Sequence, residues 1–244
     1  MMNQSAADEF SRLVKEAAHI GASGRWATVN ARIEALAAHP GPDNEWWVQL
    51  FGSLCSQNFS EYLSLKRAYE NKHGQDMPLL AWRARNLLEL SIWSTYCAKS
   101  RENARRVFED AGRDVRGVFD AFIKWGTATA QATDWADPLS NGKNDLAERA
   151  LANEGIESLD GKFKEVRDAA IECGLGEHFS LSYKVLSKFA HPTAMRILAP
   201  PNDKTEAVQR EVFYSQGCLF FTGAFHTLER ELMPGPGGAL TVLT

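Results

Sequence analysis

Apolar residues recur at intervals of three and four along most of the chain, the spacing that brings side chains onto one side of an α-helix. Over residues 6–20 the stripe is Phe10, Leu13, Val14, Ala17 and Ala18, and over residues 25–38 it is Trp26, Val29, Ile33 and Leu36. Gly21-Ala22-Ser23-Gly24 turns between them, which predicts a helical hairpin. His39-Pro40-Gly41-Pro42 closes it, because proline removes a backbone donor and restricts the residue before it. The expected organisation is therefore an N-terminal hairpin at 1–42, a main helical bundle at 43–232 and an irregular tail at 233–244, which holds Pro234-Gly235-Pro236-Gly237-Gly238.

In the main segment, Trp46, Trp47, Leu50, Phe51, Leu54, Phe59, Tyr62 and Tyr69 predict a long helix over 45–72, broken between Gly74 and Pro78. The helix expected over 79–101 is apolar on more than one side, which marks it as the central element. Ala104, Phe108, Ala111, Val115, Val118 and Phe122 alternate in steps of four and three, like a packing seam, over 104–124. From Gly126 to Asn144 the period lapses, and a loop is expected. Helical patterning resumes through Leu146, Leu151, Leu159, Phe163, Val166 and Ala170, then over 178–190 and 204–232. No alternating run predicts a strand. The fold class is all-α, a multi-helix bundle of about seven to nine helices with long antiparallel elements over 45–125.

Composition changes this picture little. The 244 residues are 44% hydrophobic and 24% charged, as in ordinary globular proteins, and the net charge of −4 draws the chain toward neither nucleic acid nor anionic membrane. Met1-Met2-Asn3-Gln4-Ser5 lacks the basic start and apolar run of a secretion signal, and no apolar stretch reaches membrane-spanning length. Cys55, Cys97, Cys173 and Cys218 lie far apart in helical segments, so they are expected as buried free thiols in a reducing compartment, the cytoplasm.

Charged residues inside the central apolar helix are the most informative feature, since a buried ion must be compensated. Trp82, Arg85, Glu89, Trp93 and Tyr96 share one of its faces, with Arg85 and Glu89 one turn apart. Tyr183, Ser187 and His191 follow each other at spacing four on a later helix that ends before Pro192. Glu89 accepts hydrogen bonds while Arg85, Tyr183 and a charged His191 donate them, so the two segments are expected to meet, with His191 sealed beneath Trp82, Trp93 and Phe189. A charged imidazole is favoured at a helix C-terminus and beside a carboxylate. Two readings stand: a satisfied polar network that fixes the register of two helices, or a binding or catalytic site with His191, Arg85 and Glu89 as catalytic candidates and Tyr183, Ser187, Trp82 and Trp93 as binding candidates.

Arg85-x-x-x-Glu89 followed by Tyr183-x-x-x-Ser187-x-x-x-His191 resembles an uncharacterised family of helical bacterial proteins, loosely similar to the HEPN domains of prokaryotic defence systems. The resemblance spans roughly residues 45–230, implies a helical binding or interaction protein in a stress or defence setting, and offers ribonuclease activity as the alternative. Active ribonucleases of that group carry an arginine shortly before a histidine on the same segment. Here Lys184 and Lys188 are the nearest basic residues before His191, so Arg85 would have to supply the cation from another helix.

Other constellations are weaker. Cys173 and His178, near Glu172 and Glu177, have no second ligand pair and suggest a loop cysteine with a capping histidine. His226 and Glu229 share a turn without the repeat of di-iron bundles. Arg101, Arg105, Arg106, Arg113 and Arg116 interleave with Glu102, Glu109, Asp110 and Asp114, as on a solvated helix face. Phosphate loops, nucleophile elbows and zincin motifs are missing from the sequence, and neither a metal nor a cofactor is expected. A protein partner or a second copy of the chain is the expected class of partner, ahead of nucleic acid.

Overall fold

The computed structural model describes residues 4–39, 41, 44–71, 77–128, 136–153, 156, 159, 163–191, 193 and 203–233. Among them are nine helices and no strand: α1 (Gln4–Ala22), α2 (Arg25–Ala38), α3 (Glu45–Glu70), α4 (Met77–Lys99), α5 (Arg101–Ala128), α6 (Ala136–Asn153), α7 (Val166–Glu172), α8 (Gly176–Ala190) and α9 (Asp203–Leu232). The protein is all-α, and none of these helices is long and apolar enough to cross a membrane.

Helix α4 packs against α3, α5, α7, α8 and α9. Leu80, Ala81, Ala84, Leu87, Leu88 and Ile92 are all buried, which is why its sequence is apolar on more than one side. Helix α9 packs against α1, α2, α3 and α4. The α3–α9 contact is aromatic: Tyr62 stacks on Phe221 with ring centroids 4.2 Å apart, and Tyr69 on Tyr214 at 4.0 Å. Seven residues separate the two rings on each helix and the pairing runs in opposite senses, so the helices are antiparallel and in register. Gly217 permits the approach, since a Cβ there would lie 2.3 Å from Leu65 Cδ2. Helix α1 joins α9 through Glu16 and His226, 3.3 Å apart, and α2 joins it through the ion pair of Arg25 with Glu229.

Two turns matter for the site. Ser100 Oγ accepts the Asn103 backbone N–H at 3.1 Å, capping α5 and separating it from α4. After α7, Gly174 adopts φ +75°. The N–H groups of Gly174 and Leu175 then return to the carbonyls of Ile171 (2.9 Å) and Ala170 (2.8 Å), a Schellman closure that sends the chain straight into α8.

Four expectations are corrected. The loop placed at 126–144 gives way to the end of α5 at Ala128 and to α6 from Ala136. Pro138 falls in the first turn of α6, where N–H groups have no intrahelical partner, and Gly142 lets α6 settle onto Phe119 of α5. Tertiary contact thus overrides a poor helical sequence.

The helix expected through Leu146 to Ala170 is interrupted after Asn153. Ile156 and Leu159 are buried beside Phe108 outside any helix, and Asp110 Oδ2 accepts the Lys164 backbone N–H at 2.8 Å. The seam along α5 is buried only at Ala104 and Phe108, while Val115, Val118, Phe122 and Trp125 are about half exposed. Finally, the mixed-charge face of α5 is no free solvated surface: Arg113 and Asp110, 2.6 Å apart, have side chains only 13% and 10% exposed. The tail from Pro234 onward lies outside the described residues.

Candidate functional site

Arg85, Glu89, Tyr183 and His191 come together where α4 meets the C-terminal end of α8, and Arg85 is the hub. Its Nε donates to Glu89 Oε1 at 3.0 Å, its Nη2 donates to the Tyr183 hydroxyl at 2.7 Å, and its Nη1 lies 3.0 Å from His191 Nε2. The guanidinium carbon also stands 4.5 Å from the centre of the Tyr183 ring. Helical spacing explains the convergence: Arg85 and Glu89 are one turn apart on α4, and Tyr183 and His191 are two turns apart along α8. One planar fork then serves three acceptors, which a lysine ammonium could not do in this geometry.

Two features differ from expectation. His191 pairs with Arg85, and a guanidinium has no acceptor to offer. In this contact the His191 Nε2 is therefore the acceptor, in place of the donor expected beside Glu89. Nor is His191 sealed: it ends α8 as an exposed residue whose backbone N–H returns to Ser187 O at 3.3 Å. Trp82 is 41% exposed and carries Arg83 against its ring at 4.5 Å. Ser187 lies between Tyr183 and His191 on α8, with a buried hydroxyl that has no hydrogen-bond partner among the described residues. Trp93 is half-buried and meets Tyr96 edge-on at 6.1 Å.

Behind the cluster opens a cleft of about 780 Å³ between α4, α5, α7 and α8, with Glu89 and Tyr183 in its wall. That volume falls in the range of small-molecule sites, roughly 300–1,000 Å³. Trp93, Val107, Val166 and Phe179 supply apolar surface, and Phe163, half exposed, stands in the segment leading into α7. Three of the charges in the lining are already compensated. Asp110 is held by Arg113 and the Lys164 N–H, Lys164 pairs with Glu172, and Glu89 with Arg85. Sequence periodicity could not find this cleft, because its walls come from four helices and a non-helical segment far apart in the chain.

The remaining candidates are dispersed. Cys173 sits half-buried in the turn after α7, its thiol pushed above the ordinary value by burial. His178 is exposed within α8, and no side chain caps that helix. His226 and Glu229 each bind a different N-terminal helix rather than each other.

Fold and site together define an all-helical protein organised around an arginine-centred polar network beside a ligand-sized cleft. The chain belongs to DUF5677, a family of unknown function, whose model matches residues 48–204. The match takes in Arg85, Glu89, Tyr183, Ser187 and His191 together with the whole cleft. No curated protein and no solved structure matches the chain.

Proposed function

We propose that the protein acts as a binding module whose ligand enters the α4–α5–α7–α8 cleft, and that the Arg85 network holds the α4 and α8 walls in register around it. The cleft carries this reading: it is ligand-sized and aromatic, and Glu89 and Tyr183 belong both to its wall and to the network. A general base needs a free lone pair, and that of His191 Nε2 is committed to Arg85. The resemblance of the Arg85–Glu89 and Tyr183–Ser187–His191 segments to HEPN domains supports extending this reading to a bacterial stress or defence setting, with a protein or a second copy of the chain as partner.

The exposure of His191 favours one second reading, an RNA-cleaving site formed by His191 and Arg85. Two measurements divide the readings. A thermal-shift screen of small molecules should yield hits on the wild type that vanish in Ala111→Trp, which plugs the cleft from an exposed position of α5. RNA cleavage without added metal should be absent from wild type, His191→Ala and Arg85→Ala alike. Cleavage by the wild type that is lost in both folded variants would replace the binding reading with the nuclease.

A further inference from the structure

The charges left uncompensated in the cleft are unevenly placed. On the α7 and α8 side, Arg167 and Lys184 line it, are exposed, and have no partner among the described residues. On the α5 side the unpaired charge is Asp114. Glu165, the remaining carboxylate of the lining, has an interaction of its own. Once the paired groups are set aside, two cations face one carboxylate across an aromatic floor. Burial, and then the neighbouring Asp110, raise the Asp114 carboxyl above its ordinary value, so the α5 end already resists negative charge.

From this asymmetry we infer that the ligand is a small flat aromatic molecule bearing a negatively charged group, its ring lying against Trp93, Phe163 and Phe179 and its anion directed toward Arg167 and Lys184. A flat ring gains from burial against the aromatic side chains of the cleft, and the two exposed cations contribute an attraction that salt screens. A cationic ring would meet both of them with only Asp114 to receive it. The inference rests on the binding reading above and specifies its ligand.

Three probes that share one ring separate the possibilities: 2-naphthoate, 2-naphthalenemethanol and 2-naphthylmethylammonium, titrated into the full chain by calorimetry and by protein-observed NMR. Naphthoate should bind at least about tenfold more tightly than either of the others, a difference of about 1.4 kcal/mol, and should weaken as salt is raised. Arg167→Glu and Lys184→Glu, both at exposed positions, should each weaken naphthoate severalfold while leaving the alcohol unchanged. Asp114→Asn should leave naphthoate binding equal or tighter, and Ala111→Trp should abolish it. Equal or tighter binding of the alcohol or the ammonium, lost in Ala111→Trp, would overturn the anionic class and keep the cleft as a binding site. If none of the three rings binds and the thermal-shift screen gives no hit, the binding reading falls together with the class.

Discussion

The contact of α3 with α9 and the contact of α4 with α8 are built from opposite materials. In the first, Tyr62, Phe221, Tyr69 and Tyr214 stack in a dry, antiparallel register around Gly217, and the thiols of Cys55 and Cys218 are buried close by. In the second, a single arginine binds a carboxylate, a phenol and an imidazole at a place open to water on one side and to a cleft on the other. Aromatic packing carries free energy in proportion to the surface it removes from water. Polar networks contribute less net stability but impose one geometry, since each unmatched group is penalised. The first contact therefore holds the molecule together, and the second sets the shape of the candidate site.

Raising the pH attacks the buried thiols of α3, α4 and α9 hardest. Burial pushes Cys55, Cys97 and Cys218 from an ordinary value of 9.0 up to about 12. Above pH 9 the unfolded chain sheds these protons while the folded chain keeps them, so the unfolded state binds fewer protons and stability falls as pH rises, through to about 12. The melting temperature should therefore fall between pH 8 and pH 10.5. A melting temperature that stays level from pH 8 to pH 10.5 would contradict this burial.

Phe221→Ala comes next. It removes a fully buried ring that stacks on Tyr62 and touches Phe59 and Phe225, and should destabilise by roughly 3–5 kcal/mol in denaturant titrations. Arg85→Ala should cost less, roughly 1–3 kcal/mol, and Arg85→Lys should recover little of it because one ammonium cannot reproduce the fork. A double-mutant cycle of Arg85→Ala with His191→Ala should be non-additive by at least about 0.5 kcal/mol; strict additivity would show the two side chains to be independent. The smallest effect belongs to Arg12→Ala, an exposed residue paired with Glu9 and Glu16, which should leave the melting temperature unchanged within error.

Much of the fold was legible because most helices bury one continuous stripe. The spans expected at 6–20, 25–38, 45–72, 178–190 and 204–232 correspond to α1, α2, α3, α8 and α9, and the apolar character of residues 79–101 on more than one side identified α4 as central. What stayed hidden depended on neighbours. Helix α6 exists because Gly142 and Ala147 pack against α5 and the Phe108 cluster, a reason that its own polar sequence does not contain. The four-and-three spacing at Ala111, Val115, Val118 and Phe122 resembles a buried seam equally well whether or not a partner covers it. For the site, spacing brought Arg85, Glu89, Tyr183 and His191 to matching faces, but which of them would be the hub follows from donor geometry that only three dimensions reveal. The exposure of His191 was missed because an apolar helix gives no sign of where its last turn leaves the core.

The enclosure of α4 by α9 also has a consequence for synthesis. Leu80, Leu87, Leu88 and Ile92 emerge from the ribosome well before Phe213, Phe221 and Phe225, which belong to the same core cluster. At the usual pace of translation, roughly 5–20 residues per second, the nascent chain carries α4 without its α9 neighbour for on the order of ten seconds. During that interval the face of α4 that α9 covers in the folded protein stays open to water.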